Sequence, residues 1–159
     1  MKKLIVLLAF VSLAFIVRAA NELSYVIVGD KTYFSNNVKI GLTNLRMDTE
    51  DGLTFKAPLK MVDAYMIDGI LCERLPIFCA DGKVKCTALL EVVSLRNGMK
   101  LFKLHAYKNN KGLGCCFVDE TNRESMYFVY KDGKLHLRVD EKNAETVFDF
   151  FHVKFIRNI

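Results

Sequence analysis

The 159-residue sequence has only two prolines, and it contains no linker, low-complexity tract or run of like charge. These absences exclude a disordered or collagen-like chain, and with 52% apolar residues there is ample material for a core. The motifs of common enzyme chemistries are missing as well. There is no Gly-x-Ser-x-Gly elbow, Walker loop, dinucleotide fingerprint or His-Glu-x-x-His pair. The three histidines, His105, His136 and His152, are far apart in sequence. Cys72, Cys79, Cys86, Cys115 and Cys116 lack the doubled close spacing of a structural zinc site, so neither a metal nor a cofactor is expected. No Asn-x-Ser/Thr acceptor is present, so glycosylation gives no clue. Beyond Ala20 no apolar run approaches the roughly 20 residues of a spanning helix.

What is present starts with an address. Lys2 and Lys3 are followed by an apolar run from Leu4 to Val17, broken only by Ser12, and then by Arg18, Ala19 and Ala20. A basic start, a short apolar stretch and small exit residues form a secretory signal. Cleavage after Ala19 puts Val17 and Ala19 where modest side chains are needed, so the expected division is a signal peptide over 1–19 and a single β-rich domain over 20–159. The apolar run is too short for a membrane anchor, and no cysteine stands at the exit to take a lipid. The expected location is periplasmic or secreted. Of the 23 basic residues three lie in the leader, leaving 20 against 18 acidic, a balance of +2 instead of +5. That balance gives no electrostatic footprint for nucleic acid.

Turn chemistry dominates the remainder. Asp-Gly stands at 51–52, 68–69, 81–82 and 132–133, and Asn97-Gly98 is equivalent. These pairs suit hairpins because both residues tolerate positive φ. Around them the apolar residues alternate. Val84, Cys86, Ala88, Leu90 and Val92 share one phase, and Leu135, Leu137 and Val139 another. Strands are expected near 24–28, 32–34, 38–47, 53–57, 63–67, 70–78, 84–95, 99–107, 114–118, 126–131 and 134–139. One helix stands out at about 141–151: Ala144, Val147, Phe148 and Phe151 fall at helical spacing, and Asp140 can cap it. The expected fold is mainly β, an antiparallel sandwich or partly open barrel built from hairpins, with this single C-terminal helix.

Few residues suggest a site. Cys79 and Cys86 flank the Asp81-Gly82 turn and are a candidate disulfide across that hairpin; the bland alternative makes all five cysteines small apolar residues. His105 is a candidate partner for a thiol or carboxylate, whereas His136 sits between Lys134 and Arg138 on a wet face. Glu73 beside Arg74 is either a site residue or, the more ordinary reading, half of a surface ion pair. In Tyr127-Phe128-Val129-Tyr130, Tyr127 faces opposite to Phe128 and Tyr130, so it is a candidate for ligand contact, as are Tyr107, Tyr65, Tyr33 and His105. Against this stands the ordinary role of aromatic rings in strands.

The order Asp30-Lys31-Thr32-Tyr33-Phe34, Val62-Asp63-Ala64-Tyr65, Glu73-Arg74-Leu75-Pro76, Asn97-Gly98-Met99-Lys100-Leu101 and Tyr127 to Gly133 resembles a group of small exported proteins from Bacteroidetes-type bacteria. The resemblance covers most of the mature chain through hairpin and core motifs. It implies export and a β-rich fold and assigns no activity to any residue. The functional expectation is therefore an exported non-enzymatic β-domain. It would bind an envelope protein or an extracellular glycan or peptide through a sheet face or loop tips. One alternative is a small hydrolase or thiol enzyme, which requires His105 or His136 within reach of a Cys, Ser, Asp or Glu. Another is a structural envelope component.

Overall fold

A computed structural model describes residues 24–49, 51–79, 82–105, 116–119 and 121–155. The expected signal peptide, Tyr107 and Cys115 lie outside these residues. The protein is mainly β with antiparallel pairing and one α-helix near the C-terminus, and among the described residues the strands do not close into a barrel. No helix among them is long and apolar enough to cross a membrane.

The chain falls into two compact units. One holds the described residues up to Val62 with Met66–Gly69; the other holds Asp63–Tyr65 and Ile70 onward. The first contains the hairpin of β1 (Ser24–Val28) and β2 (Lys31–Ser35). It also contains a three-stranded sheet of β3 (Val38–Ile40), β4 (Asn44–Asp48) and β5 (Thr54–Pro58), in the order β3-β4-β5. A single strand was expected over 38–47. It is broken at Gly41, whose amide donates to the Asn44 carbonyl at 2.8 Å, so the chain reverses through Leu42 and Thr43. Leu45, Met47 and Ala57 are buried on one face of this sheet, and Tyr33 stacks on Phe55 with ring centroids 4.2 Å apart.

The second unit is a sheet in the order β10-β11-β9-β8-β7. Its strands are β7 (Ile70–Phe78), β8 (Val84–Arg96), β9 (Met99–His105), β10 (Phe117–Val118) and β11 (Glu124–Lys131). β12 (Lys134–Arg138) lies along β11, and β6 (Ala64–Ile67), in which the chain passes between the units, leads into β7. The turns Asp68-Gly69, Asn97-Gly98 and Asp132-Gly133 are two-residue loops with both residues at positive φ, between 49° and 76°. That is the twist-matched hairpin geometry the Asx-Gly pairs predict. Asp51-Gly52 instead belongs to a longer loop closed by the Thr49 amide on the Leu53 carbonyl.

Helix α1 (Ala144–Phe151) starts three residues later than expected. The Asp140 carboxylate accepts from the amides of Lys142 and Asn143, which makes 140–143 a separate turn. The helix stops at His152, held at φ 56°, where the Val153 amide returns to the Phe148 carbonyl at 2.9 Å. Ala144, Val147, Phe148 and Phe151 pack on Leu101, Tyr127, Val129 and Phe117. The Phe148 ring meets Tyr127 edge-on at 4.9 Å. Ile77, Leu90, Phe102, Met126, Phe128 and Tyr130 cluster separately. The phenol of Tyr130 donates to the Pro76 carbonyl, and burial pushes its pKa up to about 12.

Candidate functional site

Helix α1 covers only part of its face of the sheet. Along β9, Met99 and Leu101 lie beneath it, but the same phase continues as Lys103 and His105. Along β11, Val129 and Tyr127 give way to Ser125, and β8 presents Glu91 opposite Lys103. The register thus gathers polar side chains just past the aromatic core, on the stretch of face without helical cover.

Lys103 is the centre of this cluster. Its Nζ lies 3.0 Å from Glu91 Oε1 and 3.5 Å from Asp119 Oδ2, and only 13% of its side chain is exposed. A long cation held this far from water requires opposite charge beside it, which both carboxylates supply. Asp119 is itself buried and caps the turn before β11. Its Oδ1 accepts from the Thr121 hydroxyl and from the amides of Thr121 and Arg123. Burial alone would raise the Asp119 pKa; the Thr121 hydroxyl, the two amides and Lys103 outweigh it and hold it at about 2.

His105 joins the cluster from the far side. Its Nδ1 is 3.2 Å from the Ser125 hydroxyl and its Nε2 is 3.7 Å from Glu91 Oε2. Ser125 Oγ also reaches Asp119 Oδ2 at 3.4 Å and is wholly buried. Cys72 faces Glu91 across β7 and β8; burial raises its thiol pKa, the hydrogen bond with Tyr65 lowers it, Glu91 raises it and Lys103 lowers it, for a net rise. A thiol shifted upward is a poor nucleophile, which suits a packing role.

Lys103, Asp119 and Tyr127, with Val93, line the floor of a groove of about 400 Å³, and His152, Val153 and Lys154 form its other wall. That wall is fixed by the helix end. Arg96 donates to the Phe150 carbonyl and to His152 Nε2 at 2.7 Å, its guanidinium lies 5.0 Å from the Phe150 ring centre, and Ser94 Oγ donates to the Phe151 carbonyl.

The sequence candidates fare unevenly. Tyr127, expected at a surface, is 2% exposed, because both faces of β11 are covered and its ring packs on Phe148 and Phe117. Tyr65 is half-buried beside Cys72, and His105 stands in the cluster. Cys79 and Cys86 are free thiols, which corrects the candidate bridge. Register places Cys86 opposite Ile77, while the Cys79 amide donates to the Lys83 carbonyl across the turn. Glu73 on β7 pairs with Lys100 on β9 at 2.5 Å, reaching across the intervening β8. His136 is exposed. No group of three or more His, Cys, Asp or Glu suited to a metal ion occurs among the described residues. Glu91, Lys103, Asp119 and Ser125 were missed. The signal available was the switch from apolar to polar residues within one strand phase, at Leu101 to Lys103 and Tyr127 to Ser125. Compared with protein-family models, curated proteins and solved structures, the chain matches none.

Proposed function

We propose that this chain is an exported, non-enzymatic β-protein that binds a neutral, hydroxyl-rich ligand of small-sugar size in the groove above Lys103. The observation that carries the reading is the pairing of Lys103 with Asp119 on the groove floor, with Glu91 as the second carboxylate on the ammonium. The Lys103 and Asp119 charges offset each other, Glu91 leaves one excess negative charge beside them, and spare donors remain on the ammonium and spare lone pairs on the carboxylates. Sugar hydroxyls both donate and accept, so they satisfy that mixture without bringing a charge that either side would repel. The groove, at about 400 Å³, falls within the ordinary range of ligand pockets. A titration of the isotope-labelled protein with the trisaccharides of glucose, galactose and N-acetylglucosamine tests the proposal. Amide shifts centred on Lys103, Asp119, His152 and Lys154 are expected at millimolar sugar; none there with any of the three contradicts it.

A hydrolase reading has one specific observation behind it, the series Ser125–His105–Glu91. Acyl transfer needs the serine oxygen open to substrate, and Ser125 is fully buried beside a carboxylate. That reading expects ester hydrolysis lost in Ser125→Ala. The binding reading expects no hydrolysis above buffer in the parent protein.

A further inference from the structure

In the first unit, the face of the three-stranded sheet opposite Leu45, Met47 and Ala57 carries a row of cations. Register places Lys39 directly opposite Arg46, and Arg46 directly opposite Lys56, so one basic side chain comes from each strand. With strands about 5 Å apart, the row spans about 10 Å. All three residues are exposed, and none has an ion-pair partner among the described residues. Like charges directly opposite each other disfavour a sheet, and two such pairs in succession have no packing justification, since the buried residues are all on the other face.

The row is not flat. Lys39 and Arg46 line a cavity of about 270 Å³ with Asn37 and Asp48. Asp48 is held in place there: Asn37 Nδ2 donates to its Oδ2 at 2.5 Å and Thr54 Oγ1 to its Oδ1 at 3.1 Å. Two cations at the mouth call for an anionic group. The fixed carboxylate and amide beside them call for hydroxyl groups on the same ligand, because Asp48 repels a second anion but accepts from a hydroxyl.

We infer that this face binds an acidic glycan, a sugar chain bearing sulfate or carboxylate groups, with its anions along Lys39–Arg46–Lys56 and a sugar ring beside Asp48. Nucleic acid fits the row less well. Phe55, Tyr33's stacking partner, alternates away from the cations, leaving no aromatic platform for bases in the row.

The test measures binding of the full chain to a heparin-derived hexasaccharide, and to duplex DNA, by calorimetry at low and at physiological salt. The expected result is hexasaccharide binding that weakens with salt and that drops at least tenfold in Lys39→Ser/Lys56→Ser. The surface control Lys131→Ser/Lys134→Ser should change it less than twofold. Circular dichroism establishes that both variants fold, and Arg46→Gln provides a second disruption of the row if either does not. Absence of hexasaccharide binding overturns the inference, as does equal loss in the control. Binding of DNA as tight as the hexasaccharide overturns the glycan assignment in favour of a nucleic-acid face.

Discussion

The two units treat charge in opposite ways. In the second, Lys103 is nearly shut off from water and is matched by Glu91 and Asp119. In the first, Lys39, Arg46 and Lys56 stand in the open with no matching acid in the row. The contrast shows what burial demands. A charge removed from water must be neutralised by its neighbours, whereas an exposed charge is solvated and can remain unpaired at small cost. Pairing in the one place is therefore required by folding, and its absence in the other is a choice left to function. A matched site suits a neutral ligand, and an unmatched row suits an anion.

The largest effect that can break this contrast is removal of the central cation. Lys103→Met leaves the Glu91 and Asp119 carboxylates without the cation they share and should lower stability by about 3 kcal/mol. That lies at the low end for an orphaned buried charge, because Glu91 keeps some contact with water. The parallel change Lys39→Met should move stability by less than about 0.5 kcal/mol. Urea unfolding followed by circular dichroism measures both, and equal losses would erase the distinction.

Acid comes next. The folded Asp119 carboxyl sits at about 2, below its ordinary 3.8. Its stabilisation is therefore complete above the unfolded value and is lost as pH falls through 3.8 toward 2. One pKa unit corresponds to 1.36 kcal/mol, so about 2 kcal/mol should disappear in that window. Asp119→Asn should start less stable than the parent at neutral pH, with the gap closing as pH approaches 2. A gap that stays constant would mean that the capping hydrogen bonds, and not the charge, are what the aspartate contributes.

How much of this was legible beforehand follows from what periodicity records. The hairpins were readable because Asp68-Gly69, Asn97-Gly98 and Asp132-Gly133 name their own backbone conformation, and the helix because Ala144, Val147, Phe148 and Phe151 mark one buried face. The Gly41 reversal was not, since Leu42 at its tip is apolar yet fully exposed and mimics a strand residue. The burial of Tyr127 is not legible because alternation implies one wet face, whereas β11 is covered on both. His105 was singled out, but its partners come from β8 and β11, and pairing between strands distant in sequence is not written in any local pattern. The same holds for the cation row: Lys39, Arg46 and Lys56 look like scattered surface residues until register lines them up.

Smaller effects sharpen the picture. Ser125→Ala removes a hydroxyl that His105 and Asp119 share and should cost about 1 kcal/mol in the same urea experiment. A cost near zero would show that neither hydrogen bond matters to folding. Smallest in stability, yet opposite in sign, is Lys39→Glu. It places an acid opposite Arg46 and should stabilise the first unit by about 0.5 kcal/mol while weakening hexasaccharide binding. Gain in one property with loss in the other is the signature of a row kept unpaired for a ligand.

The most direct test of the account is a single amide-shift titration of the labelled full chain, first with neutral trisaccharide and then with sulfated hexasaccharide. The prediction is two separate footprints. The neutral sugar should perturb Lys103, Asp119, His152 and Lys154, and the sulfated one Lys39, Arg46, Asp48 and Lys56. One shared footprint, or a sulfated sugar settling on the Lys103 groove, would contradict the division between matched and unmatched charge.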